Sequence, residues 1–184
     1  MTEAIVIGGS AGSLDVIIKT LPLLKKNLSL AVILILHRKS SYDSSLAQLL
    51  GNKSALPVKE AEEKDLILAG NIYIAPADYH LLVESDRTLS LDYSEKIHYS
   101  RPAIDATFQT AAEVYGSKLA GIILSGANSD GTEGLMAIQN AGGITAVQNP
   151  VTAEVAYMPK QALTRVKTDL ILEKENIAAF INSL

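Results

Sequence analysis

The chain has 184 residues, 48% of them hydrophobic, with a formal charge of −4 and neither cysteine nor tryptophan. That is the size of a single domain over residues 1–184, able to bury about 70% of the surface of its unfolded chain without a metal or a disulfide. The composition excludes disulfides, thiolate chemistry and Cys-ligated zinc, and the mild negative charge gives no general attraction to nucleic acid or anionic lipid.

The first element is the β-branched run Ala4-Ile5-Val6-Ile7-Gly8-Gly9, the pattern of a strand buried on both faces in a parallel sheet. Glu3 stands directly before it, so nothing reads as a secretion signal and the expected compartment is the cytoplasm. Leu14, Ile17, Ile18, Leu21 and Leu24 then recur at helical spacing until Pro22 and Lys25-Lys26-Asn27 signal an end. A second apolar strand, Ala31 to Leu36, stops at His37-Arg38-Lys39, and Leu46, Leu49 and Leu50 predict a short helix before Gly51. Such apolar runs are far below the roughly 20 residues of a membrane span, so no membrane insertion is expected. The charge pairs Lys25-Lys26 and Arg38-Lys39 read as solvated.

The middle of the chain changes character. Ile67-Leu68, Ile72 to Ile74, Leu81 to Val83 and Leu89 to Leu91 are short apolar runs, with turns at Ala69-Gly70-Asn71 and Ser85-Asp86-Arg87. They predict an antiparallel hairpin or meander. Helical spacing returns over Ala103 to Tyr115, followed by a buried strand Gly121 to Ser125 and a glycine-punctuated segment to Gly134. A helix through Leu135, Ile138 and Ala141, strands at Ile144 to Val147 and Asp169 to Leu172, and a terminal helix from Glu175 to Ser183 complete the chain. The expected fold is α/β and doubly wound, a mainly parallel sheet with flanking helices and a short antiparallel β excursion in the middle.

In such sheets functional residues gather beyond the C-terminal strand ends. The first strand delivers Ser10 within Gly8-Gly9-Ser10-Ala11-Gly12, a G-x-S-x-G turn that projects a hydroxyl from a sharp bend. The second delivers His37, and the strand ending at Ser125 leads to Asp130-Gly131. Serine, histidine and aspartate are the parts of a nucleophile, its general base and an orienting carboxylate. Their order differs from the Ser, Asp, His order of α/β-hydrolases, so the turn does not argue for that superfamily. Each part also has a plainer reading: the glycine turn as a phosphate cradle of a nucleotide-binding module, His37 as a polar strand boundary, Asp130 as a helix cap. His80 reads as a solvated loop residue. The three histidines form no zinc pattern, and neither a metal nor a cofactor is expected.

The ordered blocks Ile7 to Gly12, Leu36-His37, Tyr73 to His80, Arg101-Pro102-Ala103-Ile104-Asp105, Ile123 to Gly126, Asp130-Gly131, Gly134, Ala141-Gly142-Gly143, Gln148-Asn149 and Met158-Pro159 resemble the chemotaxis protein-glutamate methylesterase family, the catalytic domain of CheB. The resemblance spans nearly the whole chain. It implies a cytoplasmic hydrolase of glutamate methyl esters on the signalling helices of chemoreceptors, with deamidation of glutamine in some relatives. It places the nucleophile at Ser10, the base at His37 and the orienting carboxylate at Asp130. Backbone donors to the oxyanion are expected from Ala11, by elbow geometry, and from the segment around Ala127, where many relatives have methionine. His80 and Arg101 fall in family blocks and become candidate pocket or structural residues, Arg101 either attracting an acidic receptor segment or anchoring the turn. CheB proteins typically carry a receiver domain ahead of this one. With Met1 three residues before the first strand, the expectation is an esterase without a receiver, either free-standing, and then regulated by a partner in trans or not at all, or an excised domain.

Overall fold

The computed structural model describes residues 1–38 and 45–184. Lys39, read above as a solvated charge, lies outside them. The first strand is β1 (Ala4–Gly9), followed by α1 (Ser13–Thr20), β2 (Ala31–Leu36) and α2 (Ser45–Gly51). Next come β3 (Val58–Glu60), β4 (Ile72–Ile74), β5 (His80–Val83) and β6 (Leu89–Asp92). The second half holds α3 (Ile104–Tyr115), β7 (Leu119–Ile123), α4 (Thr132–Asn140), β8 (Ile144–Gln148), α5 (Tyr157–Arg165), β9 (Leu170–Leu172) and α6 (Ile177–Ser183).

Seven of these strands form one parallel sheet in the order β3-β4-β2-β1-β7-β8-β9, and β5 and β6 form a separate antiparallel pair. The apolar runs explain the layering. In β1, Ala4 and Val6 face one core with Phe108, Leu135 and Met158, while Ile5 and Ile7 face the other with Ile17, Leu50 and Ile177. Both faces of the sheet are therefore covered by helices, α3, α4 and α5 on one side and α1, α2 and α6 on the other. Each fully buried Ile or Val of β1 contributes about 1.5–3 kcal/mol of transfer free energy.

The meander expected in the middle is smaller than its sequence suggests. Ile72–Ile74 is a parallel strand of the main sheet, paired with β2 and β3. Ile67 and Leu68 belong to no strand, but the chain there bridges antiparallel to the residues just before β6, with Leu66 opposite Thr88 and the Ile67 N–H donating to Arg87 O at 3.0 Å, while β5 and β6 make the hairpin proper. Three buried residues carry too little periodicity to distinguish a short parallel strand from one arm of a hairpin. The strand β3 carries no strand signal in sequence because Val58-Lys59-Glu60 is half polar and only partly buried. The sequence pattern does not announce helix α5, because Pro159 falls within it; in the first helical turn a missing N–H is harmless.

The chain moves from β1 to one side of the sheet and later returns on the other side at β7. The order of strands thus reverses between β1 and β7. At such a point the connecting loops leave toward opposite faces and open a crevice beyond the strand ends.

Candidate active site

Ser10 and His37 each follow the last residue of a strand. Gly9 and Leu36 are in register across β1 and β2, and the His37 N–H donates to the Gly9 carbonyl at 3.0 Å. These two residues therefore emerge side by side at adjacent strand ends, about 4.8 Å apart in the hydrogen-bonding direction. Asp130 arrives from the loop between β7 and α4 and is fully buried, with 0% exposure.

The turn carrying Ser10 is held from beneath. Ser10 N–H donates to Ser125 O at 2.9 Å, and Ser13 donates twice to Ser10 O, from N–H at 3.1 Å and from Oγ at 2.6 Å. The buried Ser125 hydroxyl donates to Ala11 O at 2.7 Å and accepts from Val155 N–H at 2.8 Å. Glycines make this packing feasible. A Cβ on Gly9 would lie 2.4 Å from Ser13 Cβ, and Gly12 turns into α1 at φ +79°, in the left-handed region. Among the described residues, the Ser10 hydroxyl and the N–H groups of Ala11 and Ala127 have no hydrogen-bond partner. Ala11 and Ala127 are both exposed.

Asp130 accepts from two backbone N–H groups at the start of α3, Ile104 to Oδ2 at 2.7 Å and Asp105 to Oδ1 at 2.9 Å. His37 Nε2 meets the same Oδ2 at 2.7 Å. Burial works against the Asp130 charge, but the His37 bond and the two N–H groups outweigh it and hold the carboxyl below the ordinary range. An ionised carboxylate only accepts, so His37 carries its proton on Nε2 and its basic lone pair on Nδ1. That lone pair faces the Ser100 hydroxyl at 3.2 Å.

The structure thus joins His37 to Asp130. It sets Ser10 at the neighbouring strand end without a Ser10–His37 hydrogen bond, and Ser100 stands at the nitrogen that Ser10 would need. Two further residues of the site, Ser100 and Ser125, were not singled out from the sequence. A clue to Ser100 lay in its position immediately before Arg101-Pro102, and one to Ser125 in its position at a strand end.

A cleft of about 400 Å³ opens beside His37, lined by Arg38, Asp78, Lys96, Tyr99, Ser100 and Arg101 among others. Arg101 is in its wall with Nη1 engaged: it donates to Tyr93 O at 3.1 Å and Ser94 O at 2.7 Å, and the guanidinium lies 3.8 Å from the centre of the Tyr93 ring. Arg38 pairs with Glu60 at 2.7 Å. The expectation of a solvated His80 is corrected, because it is 1% exposed at the start of β5. Its Nδ1 accepts from Ala103 N–H at 3.1 Å and its Nε2 donates to Glu95 O at 2.9 Å, which fastens the hairpin to the entry of α3.

Among the described residues, the one grouping of three metal-ligand side chains within reach of one another is His98, Asp105 and Asp130. Three of its four carboxylate oxygens already accept hydrogen bonds. Asp130 is engaged as above, Asp105 Oδ1 accepts from Gly134 N–H at 2.7 Å, and Asp105 Oδ2 faces His98 Nε2 at 3.4 Å. The trio is an internal polar network. As for an anion cradle in the Gly8 to Gly12 turn, Ser13 N–H is already bonded, and Glu154 Oε2 would stand 3.0 Å from a Cβ on Gly12. A carboxylate at the mouth of the turn repels phosphate.

Comparison with known proteins gives the family and the fold. The family description "CheB methylesterase" matches residues 5–181. A Leptospira interrogans protein, provisionally named protein-glutamate methylesterase/protein-glutamine glutaminase, is 44% identical over 96% of this chain and 91% of its own length. Proteins given that name in full are 34% identical in Pyrococcus abyssi and 38% identical in Thermotoga maritima, over 95% and 92% of this chain. The chain spans about half the length of those two relatives, 48% and 50%. The crystal structure of the Thermotoga maritima CheB methylesterase catalytic domain superposes with a TM-score of 0.94 at 33% identity, covering 100% of this chain and 98% of that one. No helix among the described residues is long and apolar enough to cross a membrane. The chain belongs to the CheB methylesterase family.

Proposed function

We propose that the chain is a serine carboxyl esterase that hydrolyses glutamate methyl esters on the signalling helices of chemoreceptors in the cytoplasm, with deamidation of glutamine as a related activity of the same site. The observation that carries this reading is the 2.7 Å contact between His37 Nε2 and buried Asp130, one residue beyond the in-register pair that also precedes Ser10. Family membership supplies the ester class.

In this mechanism Ser10 is the nucleophile and His37 Nδ1 takes its proton as the hydroxyl oxygen bonds to the ester carbonyl carbon. The Ser100 hydroxyl yields its place at Nδ1 when Ser10 engages. Asp130 keeps Nε2 protonated and stabilises the imidazolium. The N–H groups of Ala11 and Ala127 receive the oxyanion, a role for which free, exposed donors are suited. Collapse of the tetrahedral intermediate breaks the ester C–O bond, and the proton on Nδ1 leaves with methoxide as methanol. Water, deprotonated by the same nitrogen, then attacks the acyl-serine, releases glutamate and restores Ser10. With a glutamine side chain the leaving group is ammonia.

The test is methanol release from a methyl-labelled receptor fragment. The wild-type chain should release label, and Ser10→Ala should lose about four or more orders of magnitude in rate. Equal activity of the two proteins, or no release by either, would sink the proposal.

A further inference from the structure

The mechanism above leaves a buried carboxyl group unused. Asp105 lies in the first turn of α3 and is 5% exposed. It and Asp130 cap each other's helices: Asp105 N–H donates to Asp130, while the Asp105 carboxylate accepts from Gly134 N–H in the first turn of α4. Gly134 permits this closeness, since a Cβ there would lie 2.4 Å from Phe108 Cβ and 3.2 Å from Asp105 Cα. Ligating atoms of Asp105, Asp130 and His98 all fall within 4.8 Å of one another.

A cap alone does not need a second carboxylate. A neutral asparagine would accept the Gly134 N–H without setting two negative charges together away from water. Resting on the esterase reading, we propose that Asp105 is a positioning residue of the reaction, acting through Asp130 on the orientation and basicity of His37. When ionised, it adds negative charge behind Asp130 and favours the imidazolium that forms as His37 takes a proton. When protonated, it donates to Asp130 and weakens the hold of that carboxylate on the ring.

The groups facing Asp105 are Asp130, from the loop before α4, and His98, from the segment before α3; His37 meets it through Asp130. Burial, with the neighbouring Asp130 charge, pushes the Asp105 carboxyl up to about 6, against the Gly134 bond and His98. Its charge therefore changes within the working range of an imidazole base.

The experiment titrates the His37 ring by NMR in the ¹⁵N-histidine-labelled protein, assigned with His37→Gln, alongside the pH profile of kcat/KM on a methyl ester substrate. In Asp105→Asn the His37 midpoint should fall by about half a pH unit or more, and the acid limb of the profile should move to lower pH with it. The kcat plateau should drop about three- to tenfold with KM unchanged, because a weaker base lowers the rate of proton transfer. In the wild-type protein alone, the ¹³C-labelled Asp105 carboxyl and the His37 ring should share an inflection, a test that does not depend on the variant folding. An unmoved midpoint and acid limb in a folded variant, or independent single-site titrations in the wild type, would overturn the proposal. A wild-type chain without turnover would count against the esterase reading, while the ring titration would still decide Asp105.

Discussion

The two halves of the site are built on opposite principles. In the half proposed to hold the base, Asp130, Asp105 and the His37 ring are buried or nearly so; three of the four carboxylate oxygens accept a hydrogen bond, and the fourth, Asp105 Oδ2, lies 3.4 Å from His98 Nε2. In the half proposed to hold the nucleophile, Ser10 is only partly buried, Ala11 and Ala127 are exposed, and their donors are free among the described residues. The difference follows from cost. An unpaired carboxylate away from water would destabilise the fold or neutralise itself, so the charge that orients the base must be satisfied internally. A backbone N–H that is to meet an oxyanion must be kept from internal partners, and water can satisfy it cheaply until substrate arrives. One half is organised by the bonds it makes, the other by a turn held rigid so that its outward groups stay free.

The largest effect should come from breaking the base half. Asp130→Ala removes the acceptor for Ile104 N–H, Asp105 N–H and His37 together. Two buried donors left without partners cost about 1–3 kcal/mol each, so a loss of roughly 3–5 kcal/mol in chemical denaturation is expected. Esterase activity should fall by about three orders of magnitude or more, because His37 loses its tautomer and its orientation. Asp130→Asn separates the two consequences. It keeps the shape and one acceptor oxygen, so stability should recover in part while activity stays low. Recovery of activity with Asn would mean that Asp130 serves as a helix cap alone.

The nucleophile half should be easier to loosen than to unfold. Ser125→Ala deletes the bond to Ala11 O and the acceptor for Val155 N–H, leaving the turn to Ser10 N–H and Ser13. A stability loss of about 2 kcal/mol is expected, read as a lower melting temperature. A fall in kcat of about tenfold should accompany it, since small misplacements of reacting groups are expensive. Unchanged kcat with the expected loss of stability would show that Ser125 supports the fold without positioning Ser10.

The same contrast explains what could be read from the sequence. Strands β1, β2 and β7 are continuous apolar runs because both faces are covered, and the residues at their ends stand out for that reason. Ser10 and His37 stand out in this way, and Asp130 stands out in the glycine-punctuated loop that follows β7. Ser100 and Ser125 were not, since their partners lie 63 and 114 residues away and neither contact leaves a local pattern. His80 was misplaced by its neighbours: the turn residue Asp78 suggested solvent, whereas the histidine itself begins a buried strand. The reciprocal caps of α3 and α4 were hidden for a similar reason. Asp105 lay within a recognised block, but only the packing of the two helices brings it to Asp130.

The smallest and most discriminating prediction concerns stability against pH at Asp105. Its ordinary value as an unfolded-chain aspartate is near 3.9, and in the folded protein it is pushed up to about 6. Between these values the unfolded chain releases the proton more readily than the native one, so this group destabilises the fold progressively as pH rises from about 4 through 6. Above that window the cost is constant, with a ceiling of about 2–3 kcal/mol for a shift of this size. Asp105→Asn has no charge to bury, though its amide is a weaker acceptor for Gly134 N–H. The variant should therefore be more stable than wild type at pH 8 by about 1 kcal/mol, with the advantage vanishing or reversing near pH 4. Denaturant midpoints at the two pH values measure it. No advantage at pH 8 would mean that the Asp105 charge is compensated in the native state, with His98, 3.4 Å from its carboxylate, the group to do so. Double substitution with His98→Gln would then restore the expected dependence.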